Sequence, residues 1–336
     1  MTAPRYPVVL SHYYFIIILA LIFAVIAIGL IALSLGSTHI SVFDIPRHLL
    51  TSMDSIDNRI INEIRLPRVL SGFCVGGLLA LAGCLMQVLL RNPLAEPYIL
   101  GVSGGASAFA LIALYLGLTG HWINLSAFTG AVLTILLVFY LSGARGKWNP
   151  LKTLLTGVVL AAGWGAIISF LLTISPETRV HGMLFWLMGD LSLGDFSLFS
   201  VFILVVSFFA CLFFAKELNL LAMGQLTAQA LGVSTEKLTY IIYFLSSLLT
   251  ATAVMQAGSI GFIGLIVPHL SRLCIGSDHR ILIPVAVLAG GCLLVISDSL
   301  ARTIIAPHQL PVGILTAMLG VPVFLILLNA VNNKRT

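Results

Sequence analysis

Charged residues are scarce in this 336-residue sequence: 9% are Asp, Glu, Lys or Arg, whereas 59% are hydrophobic. Soluble domains contain about 25% charged and 45–50% apolar residues. The mean hydropathy of +1.10 and the near absence of long polar stretches exclude a soluble enzyme and a receptor with a large extramembrane domain. The sequence also lacks the alternation over about ten residues that is typical of outer-membrane barrel strands. It therefore predicts an all-α polytopic membrane protein.

Motifs for catalysis, nucleotide binding and metal binding are absent as well. The five cysteines show no CxxC spacing, so we interpret them as small buried side chains. The sequence contains no GxxxxGK[ST] or HExxH pattern. We therefore predict no catalytic residue, metal site or cofactor in this chain. The net charge of +5 does not indicate nucleic acid, because the basic residues lie in short loops and act as topology signals.

Long apolar runs fill the chain and predict one transmembrane domain over residues 1–336. Nine runs could cross a bilayer, which takes about 20 residues per helix. The eighth run is too short to cross as a regular helix and suggests a re-entrant or broken one. The ten runs cover residues 13–36, 69–90, 98–117, 124–141, 153–174, 197–214, 238–257, 260–268, 281–305 and 311–330.

The basic residues favour a topology in which the eighth run also crosses. With ten crossings and both termini in the cytoplasm, 11 of the 17 basic residues, including every lysine, lie inside. Without the eighth crossing this excess disappears. The six basic residues left outside are Arg47, Arg59, Arg65, Arg68, Arg179 and Arg302.

One cytoplasmic segment, residues 215–237, mixes small, apolar and polar residues and has no basic residue between Lys216 and Lys237. Its Gly232 is typical of a helix C-terminus. Helices that lie on a membrane surface usually carry more Lys or Arg. The segment therefore favours docking to a protein partner.

A weak repeat recurs at an offset of 214 residues. The first copy would run outward to inward and the second in the opposite sense, as in the inverted repeats of transporters. Chance coincidence among 30 glycines and 13 prolines is an equal alternative. The matches are Gly76, Gly77, Pro93 and Pro97 with Gly290, Gly291, Pro307 and Pro311.

Ionisable residues are nearly absent from the interior of the runs. Asp298 is the one acidic candidate, and its spacing from Arg302 indicates a structural i, i+4 pair. His269 is interpreted as a packing or helix-start residue. A stand-alone secondary transporter or channel would need a midplane ionisable site or a selectivity ring, and an intramembrane enzyme would need a nucleophile–base pair or metal motif. The sequence shows neither feature, which favours a transporter whose energy comes from a partner protein.

Several strings of the sequence form a recognisable set. They include RLPRVL at 65–70, RNPLAEPYILGVSGGA at 91–106, GSIGFIGLIVPH at 258–269, DSLAR at 298–302 and LPVGILTAMLGVPVF at 310–324. Together they resemble the signature of the iron-siderophore, haem and cobalamin permeases of bacterial ABC importers. The resemblance runs from about residue 13 to 330.

This resemblance implies a type II importer permease of ten helices, multi-pass in the bacterial inner membrane and assembled as a homodimer. Two ATPase subunits, which hold ATP and Mg²⁺, are expected at the cytoplasmic face, and a periplasmic binding protein is expected outside. The whole chain is similar to the molybdate and tungstate branch of the family. A ferric siderophore, haem or cobalamin substrate is the alternative.

The same resemblance implies roles for individual residues. Arg65, Arg68 and Arg302 correspond to contacts with the binding protein, and arginine forks pair well with carboxylates. Local ion pairs with Glu63 or Asp298 are the alternative interpretation.

On the inner side, the family's coupling helix for the ATPase corresponds to residues 224–232, so 215–237 is expected to be the coupling-helix loop. Its expected contacts are Gly224, Ala228, Leu231 and Gly232.

The turn at residues 92–97 matches a segment that narrows the inner end of the pathway in relatives. It implies Asn92 and Leu94 as a cytoplasmic gate. A rigid turn between two spans is an equal alternative.

Overall fold

The computed structural model describes residues 8–36, 38, 40–50, 55–143, 150–192 and 196–332. Every secondary-structure element in these ranges is helical. Both chain ends, which the topology prediction places in the cytoplasm, lie outside the described residues. A π-helical stretch, Ile60–Arg65, joins α3 to α4, and a 3-10 turn, Pro97–Leu100, precedes α5. The α-helices are α1 (Val8–Ser34), α2 (Ile45–Leu50), α3 (Ile56–Arg59), α4 (Leu66–Leu89), α5 (Val102–Tyr115), α6 (His121–Gly143), α7 (Pro150–Ile174), α8 (Glu177–Leu187), α9 (Leu198–Phe213), α10 (Ala215–Ala222), α11 (Gln225–Ala230), α12 (Thr235–Ala257), α13 (Ile263–Ile275), α14 (His279–Thr303) and α15 (Val312–Asn332).

Each of the ten predicted runs forms a helix, but the helices differ in length. Among the described residues, six are long and apolar enough to cross a membrane, or seven if α9 and α10 form one span bent by 66°. Three others, α5, α13 and the apolar part of α15, are shorter. The all-helical membrane fold is therefore confirmed, whereas the count of ten crossings stays a prediction.

The break before α13 makes the eighth segment short, as the sequence indicates. Helix α12 ends at Ala257, and five residues of irregular backbone follow before α13 begins at Ile263. Helix α13 then extends past the apolar run to Ile275, because His269 and Arg272 lower the hydropathy without ending the helix.

Two helical segments escape a search for apolar runs. Helix α8 has 11 residues, and Glu177, Arg179 and His181 keep its hydropathy low. The second span begins near Ile56 rather than at residue 69, because the charged residues of Ile60–Arg65 continue the helix. Both segments place polar side chains beside the ends of the spans.

Helix α4 is the centre of the molecule: 89% of its most apolar stretch is buried, against 11% for α1 and α7. It packs against α12, α13 and α14. Glycine makes these contacts close, since a methyl group on Gly83 would overlap the backbone of Gly264 in α13. Small residues bring helix backbones together in the same way in membranes generally. Helix α4 thus holds the half-length α13 in place.

Candidate functional site

Three arginines predicted to act together do lie together at one end of the molecule. Arg65 and Arg68 stand at the start of α4, and Arg302 stands in the last turn of α14. All three side chains are buried, each residue at most 8% exposed. Buried guanidinium groups are stable only with partners, so their hydrogen bonds define what they do.

Arg65 binds the C-terminal end of α1. Its Nη1 donates to the carbonyl oxygens of Leu33 at 2.7 Å and Ser34 at 3.0 Å, and its Nη2 donates to the carbonyl oxygen of Thr38 at 2.5 Å. The last carbonyls of a helix have no partner within the helix, and a cation there also favours the helix dipole. Arg65 therefore caps α1 and joins it to α4.

Asp298 pairs with the other two arginines. Arg68 Nη2 lies 2.9 Å from Asp298 Oδ1, and Arg302 Nε lies 3.1 Å from Asp298 Oδ2. The predicted structural pair between Asp298 and Arg302 is thus present. Arg68 Nη1 also donates to Gln309 Oε1 at 2.9 Å. Glu63, the other carboxylate weighed as a local partner, is exposed.

The three arginines line a cavity of about 290 Å³. Asp298 pairs with Arg68 and Arg302, whereas Arg65 bonds to uncharged oxygen atoms. The cavity wall therefore has an excess of positive charge. The side chains are thus reachable from the cavity even though each has internal partners. Contact with a binding protein stays a prediction, and the internal partners show that these residues also stabilise the fold.

The turn that contains Asn92 and Leu94 is stabilised by its own side chain. Asn92 Oδ1 accepts a hydrogen bond from the backbone nitrogen of Leu94 at 2.9 Å, which is an Asx turn. The backbone nitrogen of Asn92 donates to the carbonyl oxygen of Gln87 at 3.2 Å, so the turn continues directly from α4. Asn92 is exposed and Leu94 is half-buried. The geometry fits both a gate and a rigid turn.

Two residues that follow in this segment contact the break before α13. Glu96 Oε1 accepts a hydrogen bond from the backbone nitrogen of Phe262 at 2.9 Å. The Tyr98 hydroxyl bonds both the carbonyl oxygen and the backbone nitrogen of Ile260. Burial raises the pKa of the Glu96 carboxyl, and the hydrogen bond from Phe262 opposes that rise. Sequence analysis missed these contacts because the partners lie more than 160 residues apart.

The segment 215–237 forms two short helices, α10 and α11, before α12 begins. Helix α11 ends as predicted: Gly232 has φ of +84°, Gly232 N donates to Gln229 O, and Val233 N donates to Ala228 O. This pair of bonds is a Schellman motif. Gly224, with φ of +130°, makes the turn between the two helices.

Ala228 needs a correction among the expected ATPase contacts. It is 0% exposed, because α11 packs this small side chain against the chain's own residues. Leu231 and two apolar residues outside the expected set, Met223 and Leu226, are 60%, 70% and 82% exposed. The large exposed apolar side chains of this loop are therefore Met223, Leu226 and Leu231, whereas Ala228 is buried.

Helix α10 is tied to the first residues of α14. Asn219 Nδ2 donates to Asp278 Oδ1 at 2.8 Å, and Asn219 Oδ1 accepts from the backbone nitrogen of His279 at 2.9 Å. A second polar contact lies nearby on α4, where Arg272 Nη1 donates to Gln87 Oε1 at 2.9 Å. The loop is thus hydrogen-bonded to the spans.

No group of three His, Cys, Asp or Glu side chains that could hold a metal ion occurs in the part of the chain that the structure describes. The charged groups form ion pairs and helix caps instead. The arrangement offers a basic cavity at one end of α14, a helical loop at the other, and a central bundle between them.

Comparison with known proteins gives consistent matches along the whole chain. The model of the FecCD transport family matches residues 19–330. The hemin transport permease HmuU of Yersinia pestis is 39% identical over 91% of this chain and 95% of its own length. The molybdate import permease MolB of Haemophilus influenzae is 34% identical over 91% of this chain and 92% of its own.

A solved structure, described as an inward-facing conformation of a metal-chelate-type ABC transporter, superposes with a TM-score of 0.83. It is 32% identical and covers 94% of this chain and 99% of its own. Match length, identity and superposition agree with the signature strings and the helical membrane fold. The chain belongs to the FecCD transport family and is an ABC importer permease.

Proposed function

We propose that this permease works as a homodimer in the inner membrane, with two copies of a separate ATPase on its cytoplasmic face and a periplasmic binding protein outside. ATP and Mg²⁺ belong to the ATPase, and this chain carries no catalytic residue or cofactor. Both termini lie in the cytoplasm. The observation that carries the proposal is the α10–α11 loop, which exposes apolar side chains and is hydrogen-bonded to a membrane-spanning helix.

The inner face supports docking of a protein. Met223, Leu226 and Leu231 form an exposed apolar surface on a loop outside the long spans. Large exposed apolar side chains grouped together are typical of interaction sites. Leu231 and Gly232 also line a cavity of about 550 Å³ together with Lys216 and Lys237. A partner could insert a side chain there.

The outer end supports docking of an acidic partner. The cavity lined by Arg65, Arg68 and Arg302 has more guanidinium groups than its single carboxylate can pair. Burying a further carboxylate there would compensate the excess positive charge. We therefore propose that a Glu or Asp of the binding protein enters this cavity.

The two ends are joined by α14. His279, its first residue, contacts Asn219 of the loop, and Arg302, in its last turn, lines the basic cavity. With 25 residues, α14 spans roughly 37 Å at 1.5 Å per residue. One helix thus separates a face suited to the ATPase from a face suited to the binding protein.

For the substrate we propose a metal-containing species, with molybdate or tungstate as the first candidate from the whole-chain resemblance. Ferric siderophore, haem and cobalamin are the alternatives of the same class. Similarity to a hemin permease, at 39% identity, is no weaker than similarity to a molybdate permease, at 34%. All four substrates therefore belong in the first experiment.

The test is uptake of labelled molybdate, ferric siderophore, haem and cobalamin into proteoliposomes that contain the permease with its ATPase and binding protein. We expect uptake of one substrate that requires ATP, the ATPase and the binding protein together. Uptake with the permease alone would overturn the proposal and favour a stand-alone secondary transporter or channel.

A further inference from the structure

Two irregular stretches of backbone, far apart in sequence, meet beside the core helix α4. The first stretch is residues 92–101, and it begins with the turn at residues 92–97, the gate turn. The second stretch is residues 258–262, the break between α12 and α13. Pro97 lies against Gly264 at the start of α13, where a methyl group on the glycine would come within 2.8 Å of the proline ring. This stretch therefore contacts the start of α13 directly.

Three hydrogen bonds join the two stretches. The Tyr98 hydroxyl donates to the carbonyl oxygen of Ile260 at 3.0 Å and accepts from the backbone nitrogen of the same residue at 3.1 Å. Glu96 Oε1 accepts from the backbone nitrogen of Phe262 at 2.9 Å. In each bond a side chain of the first stretch satisfies a backbone group of the second.

These backbone groups need partners because the break interrupts the helical hydrogen bonds. Irregular backbone within a membrane protein is stable only where its N–H and C=O groups are satisfied by protein or water. Phe262 also has φ of +71°, a conformation that a residue with a side chain rarely adopts. The surrounding contacts must therefore hold this residue in place.

The break is in turn packed against the last span. Phe262 lies so close to Gly320 of α15 that a methyl group on Gly320 would meet the phenyl ring at 2.7 Å. A displacement of the gate turn would therefore pull on Ile260 and Phe262, and Phe262 would move against α15. The geometry links the turn to two spans that are remote in sequence.

We propose that Glu96 and Tyr98 are positioning residues that fasten the gate turn to the α12–α13 break, so that the gate moves only together with α13 and α15. This inference rests on the proposed function, an ATP-driven importer, and on the expectation that the turn at Asn92 and Leu94 is its inner gate. Under this proposal the hydrogen bonds make the turn follow the spans, so that it opens and closes only with them. Loss of the hydrogen bonds uncouples the turn from the spans.

The experiment uses the reconstituted permease with its ATPase and binding protein, and compares Tyr98→Phe with Tyr140→Phe. Both changes remove one hydroxyl, but Tyr140 is an exposed residue of α6. Two quantities are measured: leak of the transported substrate without ATP, and substrate transported per ATP hydrolysed. Tyr98→Phe removes both hydrogen bonds to Ile260. We expect leak to rise roughly thirtyfold, the population shift that two lost hydrogen bonds give, and transport per ATP to fall.

A second pair separates fastening from simple destabilisation. Glu96→Gln retains an oxygen that can accept the Phe262 N–H, whereas Glu96→Ala removes it, so Gln should keep near-normal coupling and Ala should leak. If Tyr98→Phe fails to fold, the comparison of Glu96→Gln with Glu96→Ala still tests the proposal. If the wild type transports with ATP but neither Tyr98→Phe nor Glu96→Ala leaks more than Tyr140→Phe, the fastening inference is wrong. If the wild type needs no ATPase, the proposed function itself fails.

Discussion

The backbone of Gly76 in α4 lies directly against the carbonyl oxygen of Gly290 in α14. A methyl group built on either glycine would overlap the other helix. The two residues occupy corresponding positions in the repeat at an offset of 214 residues. In a pair of segments related by a two-fold axis, a residue that meets its own counterpart lies on that axis. The contact therefore agrees with an inverted repeat and marks where its axis would pass.

Substitution at this crossing should be costly. Gly76→Ala forces α4 and α14 apart, and overpacking of this kind typically costs about 1–3 kcal/mol. We expect a lower midpoint in thermal unfolding of the purified permease. Gly29→Ala in α1 is the control, because a methyl group there meets nothing within 4 Å. Equal stability of the two variants would contradict the close crossing.

The charge of Asp298 should be essential to the end of the fold that contains Arg68 and Arg302. Asp298→Asn leaves Arg68 and Arg302 buried with a neutral partner, and breaking a buried pair typically costs about 3–5 kcal/mol. We expect a large loss in thermal stability and in yield of folded permease. Glu63→Gln, at an exposed carboxylate, should leave both unchanged.

Docking of the binding protein can be tested without removing an arginine. Gln309→Glu keeps an acceptor for Arg68 but adds a negative charge at the cavity wall. If a carboxylate of the partner enters the cavity, affinity should fall about tenfold at low salt, the order expected for a charge change at such a contact. The difference should shrink at high salt.

The control for this variant is His308→Glu, which adds the same charge on the neighbouring exposed residue. It should weaken binding less, since residue 308 does not line the cavity. If Gln309→Glu binds the partner with unchanged affinity at low salt, the binding protein does not place a carboxylate in this cavity.

The apolar surface of the α10–α11 loop should be required for assembly with the ATPase. Leu226→Asp places a charge on a side chain that is 82% exposed, so the permease should fold normally but bind less ATPase in a pull-down and transport less substrate. Leu226→Met should behave as the wild type. Ala228→Trp should instead disrupt the loop, because Ala228 is fully buried. Normal ATPase binding by Leu226→Asp would show that the partner docks elsewhere.

Sequence reasoning located the spans because apolar length alone determines where a helix can cross a membrane. It missed α8 because Glu177, Arg179 and His181 lower the mean hydropathy of this short helix, and the search followed apolar runs. It also placed the start of the second span too late, since charged residues extend that helix at its N-terminal end. The expected glycine C-terminus of α11 was confirmed because a left-handed residue there nearly requires glycine.

The candidate site was harder to predict because its contacts are long-range. The spacing of Asp298 and Arg302 revealed their pair, but Arg68 joins it from 230 residues away. The sequence also does not show which side chains of the loop are exposed. Ala228 was expected at the surface but is buried, whereas Leu226 is exposed. The spacing of residues along the chain indicates which of them share a helix face or cap a helix. It does not indicate which residues of different helices contact each other, because those contacts depend on the fold.

The 66° bend between α9 and α10 turns the chain out of the direction of α9. Beyond the bend, Asn219 fastens α10 to the start of α14, and α14 crosses α4 at the glycine contact. A displacement of α10 would therefore act on the N-terminal end of α14, on one side of the glycine crossing. If that crossing is the fixed point, such a displacement would move the basic cavity at the far end of α14 in the opposite direction.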